Sequence, residues 1–82
     1  MRAAYRLVRM TPGGLERSQG PVGSVRAASV LAAYVLTDNT RVGRSEARLF
    51  SARLGDLPVG ETACHEGTGY RFRIEREQVN GC

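Results

Sequence analysis

Cys64-His65-Glu66 is the stretch whose residue types invite chemistry. A thiolate beside an imidazole begins a nucleophile–base pair. The surrounding segment GETACHE reads as a strand, and neighbouring side chains of a strand point to opposite faces, so Cys64 and His65 diverge. Glu66 can share a face with Cys64, but a carboxylate disfavours a nearby thiolate. The stretch therefore reads as a small buried cysteine followed by a histidine packed in a hairpin.

Other site chemistries find less support. One histidine and two widely separated cysteines, Cys64 and Cys82, give no zinc spacing, and a Cys64–Cys82 bridge would tie down only the tail. The carboxylates are scattered and mostly lie beside arginines. The glycines form no phosphate loop, since there is no GxxxxGK[ST] and no lysine to complete one. The expectation is a protein that is not an enzyme and needs no cofactor or metal.

What remains is surface. All 12 basic residues are arginine, against 8 acids, for a net charge of +4. Arginine's planar fork suits bidentate contacts to phosphate or carboxylate, although a GC-rich genome also raises Arg, Ala and Gly together. The net charge steers encounters with anionic partners whatever its origin. At 82 residues, 41% of them hydrophobic, the chain is expected to form a single domain over 1–82 with a thin core. No leader peptide or membrane span is legible, and two cysteines are too few for a secreted framework, so a cytoplasmic protein is expected.

The elements that position the arginines follow from periodicity. RAAYRLVRM alternates, with Ala3, Tyr5 and Leu7 on one side and Arg2, Ala4, Arg6 and Val8 on the other, as in a half-buried strand. TPGGLERSQGPVG reads as a turn or mobile loop, and GSVRAA as a short second strand. Ser29 reads as the N-cap of a helix over VLAAYVLTDN, its stripe of Val30, Leu31, Tyr34 and Val35 set against the sheet. Ser45 caps a second segment, EARLFSARLG, in which Ala47, Phe50, Leu54 and Leu57 fall at helical steps and Gly55 is placed as a C-cap. Phe50, Ala52 and Leu54 also alternate, so a strand over 45–54 is the other reading.

GETACHE and YRFRIERE flank GTG, a hairpin signal. An even-length turn sets His65 opposite Tyr70 and Ala63 opposite Phe72. The order ββ–α–α–ββ predicts an α+β fold, a small antiparallel sheet of about four strands with one or two helices packed on one face. Tyr70, Phe72 and Ile74 then face the helices. Arg71 and Arg73 face away, joined by Arg2, Arg6 and Arg26 on neighbouring strands and balanced partly by Glu61 or Glu75. Such a face is solvated, grips nucleic-acid phosphates, or meets an acidic protein. The aromatics fall on the buried parity, so stacking groups on the basic face are missing.

MRAAY at the start, and VRAAS leading into a helix, resemble the small phage-encoded anti-CRISPR proteins that act on type I surveillance complexes, in particular the ninth family of type I-F inhibitors. The resemblance covers the first forty residues, with a Gly/Pro loop inserted. It implies a compact antiparallel sheet with a helix against it and a stoichiometric inhibitor without enzymatic activity. It also implies docking on backbone subunits of the CRISPR-guided Cascade complex, so that target DNA cannot pair with the guide. The family carries basic residues on the helix after the strand–Ser step, whereas VLAAYVLTDN has none. Arg41 and Arg44 follow that helix and are the nearest basic groups. The expected partner surface is therefore Arg2, Arg6, Arg26, Arg41, Arg44, Arg71 and Arg73, with a small basic nucleic-acid-binding module of phage or mobile-element origin as the alternative.

Overall fold

A computed structural model describes residues 3–77. The chain runs β1 (Ala4–Met10), β2 (Glu16–Val22), α1 (Val25–Asn39), α2 (Arg44–Asp56), β3 (Thr62–His65) and β4 (Tyr70–Glu77). The four strands form one antiparallel sheet in the order β2-β1-β4-β3. Both helices lie on the same face, giving the two-layer α+β architecture that the order of elements predicts.

Burial drives this layering. Leu7 of β1 and Phe72 and Ile74 of β4 point from the sheet into Ala28, Ala32, Val35 and Leu36 of α1 and Ala47, Phe50 and Leu54 of α2. Phe72 is fully buried, and its ring lies 5.4 Å from that of Phe50. Removing such a side chain from water contributes roughly 1.5–3 kcal/mol. Alternation along β4 aims Phe72 and Ile74 inward, and the hairpin register agrees with expectation: His65 pairs with Tyr70 and Ala63 with Phe72.

Several expectations are corrected. Glu16–Val22, inside the expected loop, is an edge strand. Its polar sequence carries no hydrophobic alternation, and Pro21 is tolerated because an edge needs no ladder donor on its outer side. Gly20 accommodates the irregular pairing opposite Tyr5: its φ is +126°, and a Cβ there would lie 2.9 Å from the Tyr5 carbonyl oxygen. Residues 25–28 of the expected second strand instead open α1. Ser24 caps this helix, its Oγ accepting from the Ala27 amide at 3.0 Å, and two alanines favour helix over strand. Ser29 is thus a buried interior residue whose carbonyl accepts from Ser51 Oγ at 2.8 Å.

The inward stripe of α1 is also turned from the expected one. Ala28, Ala32, Val35 and Leu36 face the sheet, while Val30 and Tyr34 face out. The segment 45–54 is helical, capped by Gly43 rather than Ser45, and it passes through Gly55 to end where Leu57 precedes Pro58. A residue before proline is pushed to extended backbone, and Leu57 has ψ 148°. No helix among the described residues is long and apolar enough to cross a membrane.

Candidate functional site

Cys64 and His65 do diverge. Cys64 is exposed on the outer face of the sheet, opposite Arg71, and so is not the small buried cysteine expected. His65 is buried on the helix side, its ring edge-on to Phe50 with centroids 5.2 Å apart. Its Nε2 lies 2.8 Å from Glu46 Oε2 and its Nδ1 2.9 Å from Thr68 Oγ1. Both ring nitrogens are thus held by neighbours on α2 and in the hairpin turn, and neither is directed at Cys64.

The outer face carries arginines as expected, but they are largely neutralised. Arg6 Nε meets Glu77 Oε1 at 2.9 Å. Arg73 meets Glu75 at 2.9 Å and reaches over β1 to Glu16 on β2 at 3.4 Å. That span covers Val8, which is only 4% exposed although it lies on the face away from the helices. The expected balance by Glu75 is present, while Glu61 precedes β3 and the other acids on this face are Glu16 and Glu77. Arg26 is not on the sheet at all but in the first turn of α1. Arg2 lies outside the described residues.

A different grouping emerges at one end of the molecule. Arg9 lies directly opposite Arg17 in the β1–β2 ladder, and one residue further along the same strands Met10 is flanked by Glu16 and Arg71. Gly69, in the β3–β4 turn, packs on Pro12 of the β1–β2 turn. Arg41, in the α1–α2 turn, lines a shallow cleft of about 300 Å³ with Gly67 and Thr68 of the same hairpin, and Arg44 opens α2 beside it. Arg9, Arg17, Arg41 and Arg71 thus surround one end, and none takes part in an ion pair among the described residues.

Like charges directly opposite on antiparallel strands are unfavourable. Arg9 Nε is moreover buried without a hydrogen-bond partner, as is Gln19 Oε1 close by on β2. Sequence reasoning missed Arg9 and Arg17. With β2 read as loop, nothing placed Arg17 opposite Arg9; the parity of Leu7 was the one signal that Arg9 turns to the helix side.

The aromatic groups of the strands stay on the core side, as their parity predicts. Tyr70 is half-buried and stacks on Phe72 at 6.2 Å, and Tyr5 packs against the core. Tyr34, on the outer surface of α1, is 61% exposed. No family model, curated protein or solved structure matches the chain.

Proposed function

We propose that this protein works by binding rather than catalysis, as a stoichiometric inhibitor of the anti-CRISPR kind that docks on a type I CRISPR surveillance complex and blocks target DNA binding. The observation that carries the binding mode is the end bearing Arg9, Arg17, Arg41 and Arg71, four cations outside the ion-pair network of the described residues. The choice of target rests on the MRAAY and VRAAS likeness. A cationic end is repelled by the basic groups that hold DNA phosphates, so its contact in such a complex is guide RNA or an acidic protein surface.

One observation favours a second reading, a small nucleic-acid-binding module. A phosphate between Arg9 and Arg17 relieves their mutual repulsion. A mobility-shift assay separates the two. Target DNA is incubated with type I-C, I-E or I-F complexes with and without the protein, beside protein with DNA or RNA alone. Loss of the target complex without a shift of free nucleic acid supports the inhibitor. A salt-sensitive shift by the protein alone moves the assignment to nucleic-acid binding. Unchanged target binding by every complex overturns the inhibitor reading.

A further inference from the structure

The outward face of the helical layer carries the same positional pattern twice. Arg26, Val30, Tyr34 and Asp38 follow one exposed stripe of α1, and Arg44, Arg48, Ala52 and Asp56 follow the corresponding stripe of α2. Each stripe begins with arginine and ends with aspartate at the same separation, about 18 Å along the axis at the rise of an α-helix. The helices are antiparallel neighbours joined by a short turn, so Arg26 and Asp56 flank one end of the face and Asp38 and Arg44 the other. Positive and negative corners alternate around a rectangle whose short side is about 9 Å, the usual interaxial distance.

Each corner charge has the sign that its own helix disfavours. The arginines occupy the first turns, where the macrodipole is positive, and the aspartates the last, where it is negative. None of the four takes part in an ion pair among the described residues. Between them runs a trough of about 1390 Å³, its floor drawn tight where Ser51 bonds the Ser29 carbonyl and Gly55 abuts Ser29. Val30 and Tyr34, 42% and 61% exposed, stand on its α1 side.

We infer that this face binds a second copy of the same chain. A two-fold axis lying in the plane of the face, along or across the helices, brings every corner over one of opposite sign. Arg26 meets Asp38 or Asp56 of the other copy, and Arg44 meets the remaining aspartate. This isologous match is a property of the alternating corners; a uniformly acidic or basic partner would satisfy only half of them. With the axis along the helices, Tyr34 of each copy lies over α2 of the other, in the stretch of Arg48 and Ala52. Two helices side by side, each about 20 Å long and 10 Å across, offer a face on the order of 400 Å². That is below the roughly 800 Å² per partner of a standard interface, so the dimer is weak, concentration-dependent and weakened by salt.

The test is sedimentation velocity of the full chain at low salt, from low-micromolar to near-millimolar concentration. Wild type passes from monomer to dimer over this range. Asp38→Arg with Asp56→Arg makes every corner cationic, and Arg26→Asp with Arg44→Asp makes every corner anionic. Each variant alone associates at least tenfold more weakly than wild type, and an equimolar mixture of the two regains the dimer. Recovery on mixing also shows that both variants are folded. Tyr34→Glu, at an exposed position that leaves the corners intact, weakens the dimer independently. A wild type that stays monomeric throughout, variants that dimerise as tightly as wild type, or folded variants that do not recover on mixing would each overturn the inference.

Discussion

Glu46 Oε2 lies 2.8 Å from His65 Nε2, and this contact ties the first turn of α2 to the end of β3. The two partners are unequal: the histidine side chain is 8% exposed, the glutamate 61%. Glu46→Ala removes a solvent-screened partner and is expected to cost about 0.5–1 kcal/mol. His65→Ala also removes the edge contact to Phe50 and the bond to Thr68, at a cost of about 2–3 kcal/mol. Urea denaturation of both single variants and the double variant checks this. The double-mutant cycle should return a coupling of about 0.5 kcal/mol, and a coupling near zero would mean the contact carries no stability.

Two glycines should respond in opposite directions. At Gly20 the backbone has φ +126°, and a methyl group would meet the Tyr5 carbonyl, so Gly20→Ala should destabilise by about 1–3 kcal/mol. Gly43 has an ordinary φ of −71° and open space around it, and as N-cap of α2 it supplies no side-chain acceptor. Gly43→Ser provides that acceptor and should stabilise by a few tenths of a kcal/mol. Thermal melts of the two variants beside wild type give both signs in one experiment.

The sheet arginines divide by partner. Arg73 pairs with Glu75 and Glu16, and its stem roofs Val8. Arg73→Ala should therefore cost about 1 kcal/mol, part electrostatic and part lost packing. Arg71 is exposed without an ion pair among the described residues, and Arg71→Ala should stay within about 0.5 kcal/mol of wild type. Equal losses from the two substitutions, measured by chemical denaturation, would show that the span over Val8 adds nothing.

The β3–β4 register was legible because strand periodicity admits no intermediate: once Phe72 is inward, Ala63 follows through the turn, and Arg71 and Arg73 must face out. The second helix was legible from Ala47, Phe50 and Leu54. β2 was not, because ERSQGPV lies on an edge, has no buried face of its own and contains both helix- and strand-breaking residues. That single omission propagated. Without β2, Glu16 could not be placed across from Arg73, nor Arg17 across from Arg9, so the sheet face looked more basic than it is and the basic end was not seen. The start of α1 was obscured for a different reason. VRAA satisfies an alternating pattern and a helical one equally, and the deciding feature, the Ser24 hydroxyl on the Ala27 amide, is a three-dimensional fact.

The proposed docking end makes a prediction that separates binding from stability. Arg17 and Arg41 are exposed, on different elements, and outside the ion pairs of the described residues. Reversing both, Arg17→Glu with Arg41→Glu, should leave the denaturation midpoint at or slightly above wild type, since Arg41 has no ion-pair partner among the described residues and the change at position 17 sets an acid opposite Arg9 in place of a like charge. The same double variant should weaken binding to the anionic partner at least tenfold and flatten its salt dependence, because two of the groups that displace counterions are gone. Arg6→Gln with Arg73→Gln reverses that pattern, lowering stability through Glu77, Glu75 and Glu16 while leaving binding near wild type. If the Arg6 and Arg73 substitutions abolish binding and the Arg17 and Arg41 reversals do not, the partner sits on the outer face of the sheet, and the end defined by Arg9, Arg17, Arg41 and Arg71 is solvated surface.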